Sequence, residues 1–459
     1  MVKDEDRTMK KIIKNGIVVT MNPAGDVWNH GYVIFEGTKI LAAGPEDELE
    51  KKLQEMTAQG NFKAGEEFEE IDAKRAIVIP GLVNTHSHLG MVPFRGLGDD
   101  CKDRLRVFLL PMENQEMDAE MAALSSRYAV AEMLLSGITT VLDMYYFEEV
   151  VAKVMDEMGI RGIAGETVME TDSCDSENTD QAIERGLALI AAYKDHPRVS
   201  GTLTPHGTTT CSPETLKRVY EEDVKAGSVF TLHTAEMDYE MTQIREQYGM
   251  TPVEFLEHIG VLGPNTLTAH TIHATERDVE ILAKHGASVA HCIASNTKAG
   301  KGVAPVSLMH KHGISVGFGT DGPASGNTLD LFIQMRMCEN FQKTTLHDRS
   351  ALPAKEVVSM ATIEGARALG FGDVTGSIEP GKEADLVLIE TDSPNMFPVY
   401  DPYSAIVYSA SAANVRDVFV AGECLVKEKQ LVRADFAKIR DELREKMERT
   451  KFGEMGNMV

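Results

Sequence analysis

Short apolar runs alternate with longer helix-like segments through the centre of this chain, and this alternation limits the fold more than any other feature. Eight candidate strands can be counted, at residues 76–79, 139–143, 161–165, 199–204, 228–233, 266–270, 287–291 and 315–320. Nearly all are continuous apolar runs, which is typical of parallel strands covered on both faces. Eight strand–helix repeats predict an α/β fold closed into a (β/α)8 barrel of the TIM type. An open doubly wound sheet is the competing arrangement, but no GxGxxG motif follows an early strand, which weakens its dinucleotide-binding form.

The two ends of the chain have a different, β-rich character. Apolar runs punctuated by turn residues fill the first part, at 12–13, 17–20, 32–35 and 40–42. Similar runs return near the end, at 384–389 and 415–423, and an amphipathic helix is predicted at 434–449. We predict that residues 1–75 and 376–459 pair into one small β-sandwich domain beside a barrel of residues 76–375.

Composition narrows the class of protein. The 459 residues are enough for a barrel and a smaller companion. A formal net charge of −25 argues against nucleic acid as a partner, because a polyanion would be repelled. No apolar run reaches the roughly 18 residues that a membrane helix needs, and the first residues are too polar for a secretory signal. Six scattered cysteines fit a reducing cytoplasm. We therefore expect a cytoplasmic protein with a small-molecule substrate, and a homo-oligomer is compatible with this sequence.

Four potential metal ligands follow predicted strands one, five and eight. His86 and His88 come after the first strand, and residues two apart in an extended segment project to the same side. His233 ends the fifth strand and Asp321 ends the eighth. Barrel enzymes assemble their sites at the carboxyl ends of the strands, where these side chains meet. We predict that the four bind one divalent ion, zinc by preference and iron as the alternative.

Glu236, three residues after His233, is placed to move protons beside the predicted ion. A divalent ion lowers the pKa of a bound water, so a nearby group must accept a proton and pass it to the substrate. We predict that Glu236 does both, and we count His270, at the end of the sixth strand, and Asp321 with it as catalytic. His270 is placed to orient the attacking oxygen. His206, after the fourth strand, faces the same mouth and can polarise a substrate ring.

These residues and their surroundings resemble the amidohydrolase superfamily from end to end. The segments that carry the resemblance are 80–100, 204–214, 232–236, 289–306, 317–332 and 376–389. The match is to the mononuclear aminohydrolase branch, which includes S-adenosylhomocysteine/5-methylthioadenosine deaminases and triazine hydrolases. It implies a barrel with a β-sandwich, one zinc or iron on the four ligands above, and catalytic roles for Glu236 and His270. No lysine follows candidate strand four, where related two-metal barrels carry a bridging carboxylated lysine, so a single ion is favoured.

The resemblance also implies substrate contacts. Glu113 looks like the glutamate that adenosine-type deaminases present to the ribose hydroxyls, and His206 matches a histidine that contacts the purine. Two positions depart from the family pattern. Arg104 stands where a tryptophan packs on the base, and Glu166 lies near the place of an arginine that binds the homocysteine carboxylate. Because an anion replaces a cation, we expect a neutral or cationic aminated heterocycle at these four residues rather than an anionic amino-acid tail.

We therefore predict a metal-dependent hydrolytic deaminase that releases ammonia from an aminated N-heteroaromatic compound, either an adenosine-like nucleoside or a related purine or pterin. The same attack on a triazine would release an alkylamine or chloride, and the sequence separates these outcomes poorly. Glu236 favours an amine as the leaving group, since an amine must be protonated to depart. A non-catalytic scaffold barrel is the alternative from another class, but a scaffold would be expected to have lost its metal ligands.

Overall fold

The computed structural model describes residues 10–60, 68–101, 104 and 108–452. Its strands are β1 (Lys10–Val19), β2 (Val27–Glu36), β3 (Lys39–Pro45), β4 (Glu69–Asp72), β5 (Ile77–Pro80), β6 (Leu82–Ser87), β7 (Ile138–Tyr145), β8 (Arg161–Val168), β9 (Val199–Pro205), β10 (Phe230–Thr234), β11 (Thr266–His270), β12 (Ser288–His291), β13 (Val316–Phe318), β14 (Leu386–Ile389), β15 (Val415–Val420), β16 (Glu423–Lys427) and β17 (Gln430–Leu431). Its α-helices are α1 (Leu49–Ala58), α2 (Leu110–Glu116), α3 (Ala119–Leu135), α4 (Glu148–Met158), α5 (Thr179–Ala192), α6 (Pro213–Ala226), α7 (Asp238–Tyr248), α8 (Pro252–Ile259), α9 (Glu276–His285), α10 (Ile293–Lys298), α11 (Val306–Lys311), α12 (Leu331–Leu346), α13 (Ala354–Met360), α14 (Ile363–Ala368), α15 (Pro402–Ser404) and α16 (Phe436–Glu448).

Parallel strands form the central sheet. In the described chain this sheet has eight strands, in the order β10-β11-β12-β13-β6-β7-β8-β9. The two ends of that order also meet, because Gly207, just after β9, forms a parallel bridge with His233 of β10. The His233 N–H donates to the carbonyl oxygen of His206 at 3.1 Å across the same junction. The sheet is therefore closed, as the predicted (β/α)8 barrel requires.

One predicted barrel strand is wrong. Of the predicted run 76–79, residues 77–79 lie in β5, which pairs with β1 and β14 outside the barrel, whereas the first barrel strand is β6. Both strands are fully buried, but β5 is the more apolar run, since only Leu82 and Val83 of β6 are apolar, and hydrophobicity therefore favoured β5. The chain passes from one sheet to the other at Gly81, where a Cβ would lie only 1.9 Å from the hydroxyl of Thr139. A residue without a side chain is required at this crossing.

The two ends of the chain share a second sheet. Within the described residues it has nine strands, in the order β17-β16-β15-β14-β5-β1-β2-β3, with β4 on β1. Phe35 of β2 and Phe419 of β15 have ring centroids 5.7 Å apart, although three strands separate them in this order. Neighbouring strands lie about 4.8 Å apart, so a flat sheet would not allow this contact. The sheet is therefore bent over a shared apolar interior.

The helices between the barrel strands carry one apolar face each. In α6, Leu216 and Val219 are buried against the barrel while Lys217 and Glu221 are exposed. In the part of the chain that the structure describes, no helix combines the length and the apolar character needed to cross a membrane.

Candidate active site

Polar side chains converge at the carboxyl ends of the barrel strands, on the face that the sequence indicated. His86 and His88 lie at the end of β6, His233 in β10 and His270 at the end of β11. Asp321 lies three residues beyond β13. His86, His270 and Asp321 are buried, with no more than 4% of their surface exposed. The structure therefore brings the four predicted ligands and His270 together.

The imidazoles of His88 and His233 are turned toward a common point. The Nδ1 of His88 lies 2.5 Å from the carbonyl oxygen of Met144, and the Nδ1 of His233 lies 2.6 Å from that of His206. A carbonyl oxygen only accepts, so each Nδ1 carries a proton and each Nε2 faces the common point. These two Nε2 atoms are 3.4 Å apart. At that distance the two nitrogens require a cation between them, either a metal ion or a proton. Although burial opposes it, Asp321 raises the pKa of His88 to about 9 and so favours such a proton on His88.

His86 and Asp321 complete a ligand set. Neither ring nitrogen of His86 has a hydrogen-bond partner among the described residues, although both are buried. Burial, together with the neighbouring His88 and His233, lowers the pKa of His86 well below its usual value, so the ring is neutral and can ligate. Asp321 Oδ1 lies 3.1 Å from His88 Nε2. Ligands of a tetrahedral zinc, each about 2.0–2.1 Å from the ion, lie roughly 3.3 Å from one another, so these spacings fit one divalent ion.

The structure contains two overlapping triads of possible metal ligands, and within each triad the ligand atoms lie within 4.8 Å of one another. One triad is His86, His88 and Asp321, and the other is His86, His233 and His270. The four predicted ligands are thus distributed over the two triads, with His86 in both. His270 lies as close to the other ligand atoms as a metal ligand would. The sequence placed His270 beside the ion as a catalytic residue, and that assignment stays a prediction.

Glu236 lies on the loop that leaves β10, beside these ligands. Its Oε1 is 3.6 Å from His270 Nε2 and 2.5 Å from the ammonium of Lys301. The backbone is held by Glu240, whose carboxylate accepts from the N–H groups of Ala235 and Glu236 at 3.0 and 2.9 Å. Burial alone would raise the pKa of Glu236, but His270 and Lys301 lower it to about 2. The carboxylate is therefore ionised at neutral pH and able to accept a proton.

Short side chains on α10 fix two of the site residues. The Ser295 hydroxyl donates to Asp321 Oδ2 at 2.6 Å, and the Asn296 side-chain oxygen lies 2.8 Å from His270 Nδ1. Because this amide oxygen accepts, His270 carries its proton on Nδ1 and turns Nε2 toward Glu236.

The backbone at the strand ends is strained. His270, Asp321 and Ala235 adopt φ values of 69°, 58° and 50°, in the left-handed region that favours glycine. Such a conformation persists only where the surrounding structure holds the residue in place. It is common at active sites, where it directs a side chain toward the reacting atoms.

A cavity of about 670 Å³ opens in front of these residues. Glu113, on α2, lines it and is buried, and it accepts a hydrogen bond from the Tyr145 hydroxyl at 2.6 Å. Burial raises the pKa of Glu113 to about 7, although the Tyr145 hydrogen bond opposes the shift. His206 lines the same cavity, and burial lowers its pKa to about 4, so its ring is neutral at physiological pH.

Arg104 lines the cavity, but its guanidinium is already engaged. It donates to the carbonyl oxygens of Leu97, Ala324 and Phe94 at 2.7, 2.7 and 3.2 Å, and it pairs with Asp99 at 3.3 Å. These bonds tie the mouth of the cavity together. A contact of Arg104 with substrate stays a prediction.

Glu166 is not among the described residues that line the cavity, and this corrects the expectation that it contacts substrate. Successive residues of a strand point to opposite faces, and its neighbour Thr167 takes the cavity side. Glu166 faces the helices and pairs with Arg185 of α5 at 3.2 Å.

Several site residues escaped sequence reasoning. Tyr145 lies two residues beyond the predicted strand 139–143, and Ser295, Asn296 and Lys301 lie inside segment 289–306, which carries part of the family resemblance. Their location in this segment was the one sequence signal that could have indicated a role in the site. Their roles follow from hydrogen bonds between distant parts of the chain, which spacing does not reveal.

Comparisons with known proteins match nearly the whole chain. The family model described as "Amidohydrolase family" matches residues 77–425. The chain is 34% identical over 435 residues to the 5-methylthioadenosine/S-adenosylhomocysteine deaminase of Syntrophobacter fumaroxidans, with 94% of this chain and 96% of that protein covered. It is 36% identical over 425 residues to the 5'-deoxyadenosine deaminase of Methanococcoides burtonii, with 92% and 93% covered. Among solved structures, an adenosine deaminase from Xanthomonas campestris with bound zinc gives a TM-score of 0.90 at 29% identity, with 96% and 99% covered.

Proposed function

The chain belongs to the amidohydrolase family, and we propose that it is a hydrolytic deaminase that releases ammonia from the purine ring of an adenosine-like nucleoside. The single observation that carries the proposal is the meeting of histidine and aspartate ligand atoms with Glu236 at the floor of one cavity, whose wall holds Glu113. The two relatives from Syntrophobacter fumaroxidans and Methanococcoides burtonii are named as deaminases, which supports ammonia rather than an alkylamine or chloride as the product.

The proposed cofactor is one divalent ion on His86, His88, His233 and Asp321. Buried histidine nitrogens that lack partners among the described residues, and two convergent Nε2 atoms 3.4 Å apart, support this ligand set. Zinc is our first choice because three imidazoles and one carboxylate suit it, and iron is the alternative. When bound, such an ion supplies a nucleophilic water of lowered pKa.

The protein's own groups would do the remaining work. Glu236, ionised and buried, accepts a proton from the attacking water and passes it to the ring nitrogen. It then accepts the remaining hydroxyl proton and passes that one to the leaving amine, which departs as ammonia. His270, held by Asn296 with Nε2 toward Glu236, orients the attacking oxygen. His206 is neutral and can hydrogen-bond the purine.

The cavity favours a substrate with an uncharged 5' end. Glu113 and Tyr145 form a buried hydrogen-bonding pair that suits the ribose hydroxyls. Each lysine or arginine among the described lining residues already pairs with a carboxylate: Arg104 and Lys298 with Asp99, and Lys301 with Glu236. A carboxylate on the substrate tail would have to compete for these cations. We propose 5'-deoxyadenosine or 5-methylthioadenosine in preference to S-adenosylhomocysteine.

A substrate panel tests this assignment. Zinc-loaded protein would be incubated with adenosine, 5'-deoxyadenosine, 5-methylthioadenosine, S-adenosylhomocysteine and a chlorinated triazine, and ammonia and chloride would be measured. We expect ammonia from the nucleosides and a lower kcat/KM for S-adenosylhomocysteine. Chloride from the triazine without ammonia from any nucleoside would favour the triazine alternative. Purified protein without stoichiometric metal would favour the scaffold alternative.

We also propose the wider organisation. Residues 1–75 and 376–459, together with strand β5, would form a two-layered β-sandwich beside a barrel whose first strand is β6, and the contact between Phe35 and Phe419 supports this arrangement. All six cysteines are free, which supports a reducing, cytoplasmic setting.

A further inference from the structure

Lys301 makes the shortest polar contact of Glu236. Its ammonium lies 2.5 Å from Glu236 Oε1, and the two residues are 65 positions apart in the sequence. The side chains are only 20% and 13% exposed. A charge-assisted hydrogen bond away from solvent is stronger than the surface pairs elsewhere on this molecule.

The chain around Lys301 is built to aim it inward. Gly300 and Gly302 have φ values of +66° and +126°, which side chains rarely tolerate, and a Cβ at Gly302 would also press on Ile272 at 3.1 Å. The Lys301 N–H donates to the carbonyl oxygen of Asn296 at 2.9 Å, which anchors this turn to α10. The same Asn296 holds His270 through its side chain. One short segment therefore positions both neighbours of Glu236 Oε1.

We propose that Lys301 is a positioning residue for the proton shuttle: its ammonium holds Glu236 Oε1, so that Oε2 is left to exchange protons with the reacting atoms. The proposal rests on the proposed function. Glu240 fixes the backbone of the shuttle and Lys301 fixes its far end, so the carboxylate has little freedom to turn. A group that must accept and deliver a proton in one cycle gains from such fixed geometry.

The charge of Lys301 has a second consequence. Burial disfavours the ionised form of Glu236, and a cation in contact offsets this cost. Other titratable groups that interact with this carboxylate include His206, His233, His270, Cys292, Asp321 and Glu240. Removing the lysine alone would leave the anions and the burial in place, so a larger share of Glu236 would be protonated at a given pH.

Three variants test this role in the metal-loaded enzyme. Lys301→Met removes the charge and keeps the length, and Lys301→Arg keeps a cation. Lys284→Met is the matched control, because Lys284 holds Glu257 at 2.8 Å on the surface, outside the cavity. We expect Lys301→Met to keep its metal and its KM, to lose on the order of 10- to 100-fold in kcat, and to lose activity at a higher pH on the acidic side. Lys301→Arg should recover much of kcat, and the control should match the wild type.

Other outcomes overturn the proposal. A wild-type kcat and pH profile for Lys301→Met would show that the pair does not position the shuttle. A raised KM with unchanged kcat would make Lys301 a substrate contact instead. Crystal structures of the wild type and Lys301→Met give a readout that needs no turnover, and an unmoved Glu236 carboxylate would reject the role. A wild type that deaminates no nucleoside would refute the proposed function separately.

Discussion

Glu236 is the residue on which the proposed chemistry depends most directly. Its replacement by Gln keeps the shape of the side chain but removes the group that accepts the proton. We expect kcat to fall by about 100- to 10,000-fold, the usual contribution of a general acid–base group. Bound metal, measured by elemental analysis, should stay at one ion per chain, because the four proposed ligands are intact. Loss of the metal would instead make Glu236 a ligand, and retained turnover would place the base elsewhere.

Glu113 is expected to act on the sugar and not on the base. In Glu113→Gln the carboxylate that accepts from the ribose hydroxyls is lost, while the amide can still accept from Tyr145. Hydrogen bonds to a charged group are worth about 1.5–3 kcal/mol, so KM for adenosine should rise roughly 10- to 100-fold. The wild type should show a similar rise in KM when adenosine is replaced by 2',3'-dideoxyadenosine. The variant should have nearly the same KM for both nucleosides. Equal losses with adenine and adenosine would contradict a ribose contact.

The same carboxyl predicts a pH dependence. Because burial raises the pKa of Glu113 to about 7, it is largely protonated in the free enzyme below that pH and ionised above it. The ionised form accepts from the sugar, so KM for adenosine should fall as the pH rises from about 6 to about 8. Glu113→Gln should remove this dependence. A KM that rises over the same interval in the wild type would show that the protonated carboxyl is the binding form.

Residues with a local signature could be predicted from the sequence. His86 and His88 are two residues apart after a predicted strand, and His233 and Asp321 end apolar runs. The sequence therefore predicted that all four lie at one face of a barrel. Lys301 has no local signature in the sequence, because its partner Glu236 is distant in the chain. Glu166 was misplaced by a single position, since the alternation of side chains along β8 gives the cavity to Thr167.

At the scale of elements, hydrophobicity predicted the strands but not their sheets. Parallel strands such as β7 and β8 are buried along their whole length and appear in the sequence as short runs with apolar residues on both faces. β5 has the same appearance, yet it belongs to the terminal sheet. The deciding contact is steric, between the position of Gly81 and the side chain of Thr139, and it involves a residue 58 positions away.

The proposed ion joins three elements, because its ligands come from β6, from β10 and from the loop after β13. Removing it with a chelator should abolish activity and lower Tm, since the bound ion stabilises only the folded state. The bound ion would add about 4 kcal/mol to the free energy of unfolding when the free metal concentration exceeds its Kd a thousandfold. Adding zinc or iron back should restore both properties, and the better metal would be identified by the recovered kcat. An unchanged Tm after complete metal removal would argue against a site that bridges these elements.

At the scale of the whole molecule, a buried ion pair joins the barrel to the terminal sheet. Arg161, at the start of β8, makes two bonds to the Asp385 carboxylate just before β14, at 3.1 and 3.2 Å. The arginine side chain is 3% exposed and the aspartate side chain is fully buried. Asp385 Oδ1 also accepts from the N–H of Ala421 at 2.6 Å. One carboxylate thus connects the two sheets.

Arg161→Met would leave this carboxylate buried without its cation, which costs about 3–5 kcal/mol when one partner of a buried pair is removed. The matched control is Arg218→Met, because Arg218 pairs with Asp180 on the surface, where both side chains are at least half exposed and such pairs contribute about 0–1 kcal/mol. Thermal unfolding should therefore show a clearly lower Tm for Arg161→Met and a nearly unchanged one for the control. Two separate transitions in Arg161→Met would show that the pair couples two units that otherwise unfold independently. Equal Tm values for both variants would mean that packing, and not this ion pair, holds the barrel and the terminal sheet together.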